Sequence, residues 1–355
     1  MFIPHWQDNS APLDGDGEDE GDRMYPVCFT RNTKMKTSVE MVLRPIEAFG
    51  GNLKIKGDRA DNLDIPATDA TARDDKATIT NATCEAAFPN YVTRYDTLDI
   101  VWSLSTDGGQ SWQQVGISKN ETFITLADPE CSTLYRTVAY LATANGGEDV
   151  DEEEEAFDST WGMFSSEGGP ADVGGWNEAS RNYDRPLHYY ETESGHGNTS
   201  AAGLLQDADG QCGAWADLLL NSCRANGISH ARGTEVRPPL GYSRMAIKEI
   251  AFDDDPDFPD SDPWIYSTED LDDSPTGIPG QNMATPSLKL FALHYLVNGA
   301  LVRLPGKPDY YDPSYGLTVS GPSAFTANVA AWGKEIDGDT HWRVADEGEV
   351  RFRDM

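Results

Sequence analysis

The spacing of apolar residues changes once along this chain of 355 residues, and that change restricts the folds it can adopt. In the first half, apolar and polar residues alternate, as in Val39, Met41 and Leu43, which is the pattern of half-buried β-strands. In the second half, a long apolar stripe follows the helical repeat after Cys212. The sequence therefore predicts a strand-built first part and a second part in which a helix packs against strands.

The same patterns divide the chain into four segments, and its length suits two folded domains. Residues 1–23 form an acidic arm with too few apolar side chains to order itself, so we expect disorder there. Residues 24–167 hold short strands separated by turn residues, which predict an all-β immunoglobulin-like sandwich. A Gly-rich linker at 168–176 leads to an α+β domain at 177–355.

Two acidic runs interrupt these patterns. Asp149–Glu155 carries six acidic residues between strand-like Tyr135–Ala142 and Phe157–Phe164, and it predicts a charged hairpin loop. Asp253–Asp262 lies in a long insertion of the second domain. Its carboxylates could hold Ca²⁺, but its prolines and the missing EF-hand spacing favour a solvated loop, so we predict no metal site.

One short segment of the first domain, Ser105–Trp112, resembles the Asp-box hairpin. That hairpin occurs on sugar-processing propellers and on sandwiches alike. No repeat of blade length accompanies it, so we expect a well-made turn. The hypothesis that the predicted sandwich binds sugars is supported by this hairpin alone.

Charge and composition exclude several classes of function. The chain has 60 acidic and 27 basic residues, a formal charge of -33, so nucleic acid and anionic membrane surfaces would be repelled. No apolar stretch approaches the roughly 18 residues needed to span a bilayer. The first ten residues lack the pattern of a secretory signal. Of the five cysteines, Cys84 and Cys131 are the pair to test first for a disulfide.

The helix that begins at Cys212 holds the most reactive side chain of the sequence. Trp215, Leu219 and Cys223 share an apolar stripe with Cys212, and Gly227 predicts the end of the helix. The unpaired amides and the positive end of the helix dipole favour a thiolate at the first turn. A thiol nucleophile is therefore the expected chemistry.

Three features follow one another in a specific order: a Gly-x-Cys at Cys212 with Trp215 in the first helical turn, a later strand histidine at His294, and an Asp-Pro pair at Asp312. In this order they resemble the transglutaminase-like superfamily, the branch of papain-like cysteine enzymes that includes transglutaminases and related bacterial proteases and amidases. The resemblance covers about residues 177–320. It implies that Cys212 is the nucleophile, His294 the general base and acid, and Asp312 the carboxylate that orients the histidine.

Further roles follow from the chemistry of acyl transfer. The imidazole takes the thiol proton and later delivers a proton to the leaving amine. The oxyanion needs donors, and the first that we expect is the Cys212 amide. The resemblance to papain-like enzymes implies a second, the side chain of Gln206, six residues before the nucleophile. Trp215 and Tyr295 are expected to support the substrate cleft. No cofactor is implied, and the expected partner is a protein or peptide substrate.

Some alternatives stay open at this point. Four other histidines are rival bases: His188, His196, His230 and His341. His230 is the strongest rival because it lies in the strand predicted after the helix, although no Asp-Pro follows it. Asp207 and Asp209 place negative charge just before the thiol and oppose a thiolate, unless Asp209 caps the helix.

Two functions of different classes are compatible with the sequence. The first is a transglutaminase-like cysteine enzyme that cleaves peptide or side-chain amides through a thioester, resolved by water or by an amine. The second is a catalytically degenerate fold that binds a protein or cell-wall partner. The domain arrangement suits an envelope or secreted setting, whereas the missing signal favours the opposite, and the sequence does not determine the oligomeric state.

Overall fold

The computed structural model describes residues 26–42, 52–59, 63–131, 134–167, 169–191, 197–247, 266–267, 279–283, 289–302, 306–345 and 348–355. Of these residues 43% lie in strands and 16% in helices, and the architecture includes a curled half-barrel sheet. The predictions for the acidic arm at 1–23 and for the run Asp253–Asp262 lie outside the described residues. No helix in the described part of the chain is long and apolar enough to cross a membrane.

Eight strands build the N-terminal part: β1 (Cys28–Thr30), β2 (Lys36–Val42), β3 (Lys54–Asp58), β4 (Ile65–Asp69), β5 (Thr71–Arg73), β6 (Lys76–Thr83), β7 (Thr93–Ser105) and β8 (Gln113–Thr125). They form a five-stranded sheet in the order β1-β8-β7-β3-β4 and a three-stranded sheet in the order β2-β6-β5. Every pair is antiparallel except β1 with β8, which is parallel. The predicted alternation is confirmed in β2, in β3 and in the middle of β7, from Leu98 to Trp102. It is absent from β8, whose first five residues are exposed and whose last four are buried.

The side chains between these two sheets form one apolar cluster, which we call the first core. Ile55 and Trp102 reach it from the five-stranded sheet, and Ile79 reaches it from the three-stranded sheet. The hairpin after β7 is the tight turn that was expected. Asp107 accepts hydrogen bonds there from the amides of Gln110 and Ser111 at 2.9 and 3.0 Å.

Two segments that were predicted as strands are helices. Arg136–Thr143 forms α1 and Glu153–Trp161 forms α2. Seven of the eight residues of α1 are buried, and a helix buried on nearly all sides shows no apolar stripe that would separate it from a strand. The acidic run is not a hairpin loop, because Glu153, Glu154 and Glu155 form the first turn of α2, where negative charge suits the helix dipole.

The segment predicted as a Gly-rich linker contains ordered backbone. Its described residues include β10 (Gly169–Pro170), which pairs with β9 (Ser165–Ser166), and most of β11 (Gly174–Asn177). A Cβ atom at Gly316 would lie 2.4 Å from the carbonyl oxygen of Gly169, so the two backbones touch closely. Trp176 is buried, and its amide donates to Thr137 Oγ1 at 2.8 Å. These contacts hold the segment against the protein.

The remaining elements begin with β12 (Asn182–Pro186), β13 (His188–Tyr189), α3 (Ala201–Asp207), β14 (Asp209–Gly210) and α4 (Cys212–Ala225). They continue with β15 (Arg232–Arg237), β16 (Arg244–Ile247), β17 (Tyr266–Ser267), β18 (Lys289–Phe291), β19 (His294–Asn298), β20 (Tyr310–Asp312) and β21 (Leu317–Val319). The last elements are α5 (Pro322–Thr326), β22 (Val329–Ile336), β23 (Asp339–Val344) and β24 (Arg351–Asp354). Two five-stranded sheets result, in the orders β21-β20-β19-β15-β24 and β17-β23-β22-β16-β18.

A second core surrounds α4, and it also takes in the buried residues of α1 and α2. Asn226, directly after α4, connects these parts: its side chain donates to the Ala142 carbonyl at 2.8 Å and accepts from the Leu126 amide at 3.1 Å. Gly227 follows with a φ of 74°, the left-handed conformation expected at a helix end. The helices α1 and α2 therefore pack with α4 in the second core.

All five cysteines fall within the described residues, and all five are free thiols. The thiol of Cys84 donates to the Ala86 carbonyl at 2.8 Å and accepts from the Met35 amide at 3.0 Å. The expected test pair, Cys84 and Cys131, is not a disulfide in this structure.

Candidate active site

Helix α4 begins at Cys212, as the sequence predicts, and its thiol is almost fully buried, with 2% of the residue exposed. The N-cap residue is Gln211, whose side chain makes no capping hydrogen bond. Asp209 is therefore not the cap. Its carboxylate instead accepts from the amide of Glu191 at 3.1 Å. The first amides of α4 thus face the thiol without a carboxylate cap.

The histidine and the aspartate lie on neighbouring antiparallel strands, β19 and β20. The register pairs Val297 with Tyr311, which places Asp312 on the same face of the sheet as His294. Nε2 of His294 donates to Oδ2 of Asp312 at 2.9 Å, and both residues are buried. The other carboxylate oxygen accepts from the amide of Ser314 at 3.1 Å. The carboxylate thus fixes the orientation of the imidazole ring.

The charge state of His294 depends on its two neighbours. Burial alone would lower the pKa of His294, but the charges of Asp312 and Cys212 and the hydrogen bond with Asp312 raise it to about 10. Because Asp312 occupies Nε2, the thiol is left with Nδ1, which is buried and has no well-formed hydrogen bond to any described residue. Catalytic hydrogen bonds are often loose until substrate is bound. The arrangement favours an imidazolium beside Cys212.

Aromatic side chains surround the imidazole. The ring centroids of Phe291, Phe325 and Tyr315 lie 5.1, 5.8 and 5.9 Å from that of His294. Tyr189 is also buried here, and its ring packs against Tyr315 with the two centroids 5.2 Å apart. Such an enclosure excludes water and strengthens the electrostatic interactions of the buried pair.

Tyr190 belongs to the same neighbourhood, and sequence reasoning missed it. Its hydroxyl donates to Oε1 of Gln211 at 3.1 Å, and its pKa is raised by burial and by the charge of Cys212. Its φ of 58° is rare for a bulky residue, and strained backbone of this kind gathers at functional sites. No local sequence pattern predicts a tyrosine with left-handed backbone conformation, so only the structure identifies it.

The other site residues predicted from the sequence differ in how they are placed relative to Cys212. Tyr295 packs against the start of α4, since a Cβ atom at Gly213 would lie 3.5 Å from its ring. Trp215 is fully buried, edge-on to Phe164 at 6.5 Å, so it supports the helix from the core and does not line an open cleft. Gln206 is exposed on α3, and no hydrogen bond among the described residues brings its amide to Cys212.

The rival histidines lie elsewhere. His230 is exposed, and the register that pairs Val236 with His294 places it beyond the opposite end of β15. His188 contacts the Asn282 carbonyl at 3.1 Å, and His341 lies on β23 in the other sheet. His196 lies outside the described residues.

The chemistry available here is that of a thiol, an imidazole and a carboxylate. In the described part of the chain, no group of three or more His, Cys, Asp or Glu side chains could hold a metal ion. In comparisons with known proteins, no family model matches the chain and no curated protein matches it either.

Proposed function

We propose that this protein is a transglutaminase-like cysteine enzyme that attacks peptide or side-chain amides through a thioester on Cys212. The observation that carries the proposal is the buried hydrogen bond between His294 and Asp312, with Cys212 acting on the same imidazole. In the same proposal, the two N-terminal sheets are an immunoglobulin-like sandwich and the region around α4 is a papain-like domain.

In the proposed resting state the thiol proton has already moved to Nδ1 of His294, which leaves a thiolate beside the imidazolium. The sulfur of Cys212 attacks the carbonyl carbon, and the oxyanion is stabilised by the backbone amide of Cys212 at the helix start. When the carbon–nitrogen bond breaks, the imidazolium gives its proton to the departing amine and a thioester remains. Asp312 holds the ring in place and stabilises its positive charge throughout.

The second half of the reaction regenerates the pair of thiolate and imidazolium. Water or an amine loses a proton to His294 and attacks the thioester carbonyl, and the carbon–sulfur bond breaks. Water gives a carboxylic acid, and an amine gives a new amide. Protease, amidase and transamidase activities share every step up to the thioester, so the proposal covers the three together.

Alkylation with iodoacetamide at neutral pH tests the proposal without a known substrate. Cys223 is the matched control because it lies on the same helix, is also buried, and has its pKa raised to about 12 by burial. We expect Cys212 to be alkylated about a hundredfold faster or more, by mass spectrometry of the labelled peptides. Equal rates at the two cysteines would contradict an activated thiolate.

One observation favours the second candidate, a degenerate fold that only binds a protein or cell-wall partner. Cys212 is only 2% exposed, so substrate needs a movement of the surrounding residues to reach the sulfur. The two candidates differ in the behaviour of Cys212→Ala. A wild type without turnover, and a variant with unchanged partner binding, would support the binding function.

A further inference from the structure

Three arginines lie together on two paired strands, β15 and β24. Arg237 is paired with Arg351, and Glu235 is paired with Arg353. Because directly paired residues and residues two apart share a face, these four side chains lie on one side of the sheet. We call Arg237, Arg351 and Arg353 the arginine strip.

The arginine strip carries an excess of positive charge. Glu235 is only 7% exposed, and it accepts hydrogen bonds from Nη2 and Nε of Arg237, both at 2.7 Å. Arg351 and Arg353 are exposed. Among the described residues of β15 and β24, this side of the sheet therefore carries one carboxylate and three guanidinium groups, in a chain whose net charge is -33. Local charge of this sign, against the sign of the whole molecule, marks a place where an anion is favoured.

The strip lies at the nucleophile end of α4. A Cβ atom at Gly233 would lie 3.8 Å from Leu220, so the later part of α4 packs over the start of β15. Tyr295, which is paired with Glu235, packs instead against Gly213 at the start of α4. The helix therefore runs antiparallel to β15 on the face that carries the strip, and its first turn is directed toward Arg237.

Charges of both the arginine strip and the thiol act on Tyr295. Its pKa is raised by burial and by the charges of Glu235 and Cys212, and it is lowered by Arg237. The same tyrosine thus lies within the influence of Cys212 and of the strip. The screening length of salt is about 10 Å at 0.1 M and grows as the salt is diluted, so low ionic strength lets the strip act on an anion that approaches Cys212.

We propose that the arginine strip is a subsite that selects acyl substrates with a carboxylate beside the reacting amide, as in acidic peptides. The subsite rests on the proposed function, because it has a role only if Cys212 reacts. Guanidinium groups bind carboxylates through two parallel hydrogen bonds. Arg353 is exposed on β24, the edge strand of its sheet in the described chain, and Arg351 beside it donates from Nε to the Pro238 carbonyl at 2.9 Å, which leaves its two Nη groups for a ligand.

The test compares two alkylating agents of similar size and different charge, iodoacetate and iodoacetamide. The rate of alkylation of Cys212 by iodoacetate, divided by its rate with iodoacetamide, measures the local preference for an anion. We expect Arg353→Glu to lower this ratio about two- to fourfold at low salt, with a smaller decrease for Arg353→Gln. In 1 M NaCl the difference from wild type should nearly vanish.

The matched control is Arg73→Glu, which makes the same change of net charge on β5 at a side chain that is 89% exposed. It should leave the ratio unchanged, and thermal unfolding should show that all variants fold. Fast iodoacetamide alkylation with an unchanged ratio in Arg353→Glu would overturn the subsite alone. If Cys212 reacts with iodoacetamide no faster than Cys223 in every variant, the proposed function fails and the subsite with it.

Discussion

The two buried cores of this protein enclose different kinds of side chain. The first core, between the two N-terminal sheets, is built from apolar residues such as Ile55 and Trp102. Around α4, in contrast, His294, Asp312 and Cys212 are buried next to one another. Burial of ionisable groups costs several kcal/mol unless they are paired and hydrogen-bonded. The first core therefore contributes to stability alone. The second core contains buried ionisable groups that lower stability, and chemistry at Cys212 would explain why they are there.

A cysteine in each region shows the same contrast. The Cys84 thiol is occupied by hydrogen bonds with backbone groups, and burial raises its pKa. The Cys212 thiol instead faces an imidazole that is oriented by a carboxylate. Buried thiols with apolar or backbone neighbours are inert, and thiols beside a charged imidazole are reactive. The neighbours of a cysteine, more than its burial, separate the two roles.

The largest expected effect is the loss of the imidazole. His294→Ala should slow alkylation of Cys212 by iodoacetamide about a hundredfold or more, because the thiol loses its proton acceptor. His341→Ala, on a strand of the other sheet, is the matched control and should react like wild type. Alkylation of Cys212 at the wild-type rate in His294→Ala would show that the imidazole does not activate the thiol, and equal losses in both variants would show that the effect is not specific to His294.

A substitution in the first core should have the opposite profile. Ile55→Ala removes a fully buried side chain and should lower the free energy of unfolding by about 2–5 kcal/mol, measured by urea denaturation. Alkylation of Cys212 in the native protein should stay within about twofold of wild type. A large decrease in that rate would mean that the first core also shapes the site.

The pH dependence of stability sharpens the contrast further. The pKa of His294 is raised above its ordinary value of 6.5 to about 10 in the folded protein. Its contribution to stability is therefore complete below about pH 6.5 and is lost as the pH rises through about 10. The difference in Tm between wild type and His294→Gln should shrink over that interval. A constant or growing difference would contradict a charged imidazole in the second core.

The smallest effect is expected at the inert cysteine. Cys84→Ala removes hydrogen bonds with the Met35 amide and the Ala86 carbonyl, and it should cost about 1 kcal/mol of unfolding free energy. Turnover and alkylation of Cys212 should not change. Loss of Cys212 reactivity in this variant would remove the distinction between the two thiols.

Much of this contrast is visible in the sequence. Alternation predicted β2, β3 and the middle of β7, and the apolar stripe with Gly227 predicted the bounds of α4. The order of Cys212, His294 and Asp312 indicated residues that the structure brings together on α4, β19 and β20. Their catalytic roles stay a prediction.

Other features depend on information that a short sequence window does not hold. The helix α1 was taken for a strand because it is buried on nearly all sides. Tyr190 has a left-handed backbone that tertiary contacts impose, and propensity gives no sign of it. The arginine strip depends on the register between β15 and β24, two segments far apart in the chain. Each of these requires the pairing of distant residues to be known.

The separation of the site residues along the chain has a consequence for folding. The thiol comes from α4, and its imidazole and carboxylate come from β19 and β20, which follow much later in the chain. Contacts between distant segments form late, because closing the loop between them costs entropy. A nascent or partly unfolded chain therefore carries the cysteine without its base. Under the proposed function, the chain's own exposed peptide bonds would then be protected from attack until the mature arrangement exists.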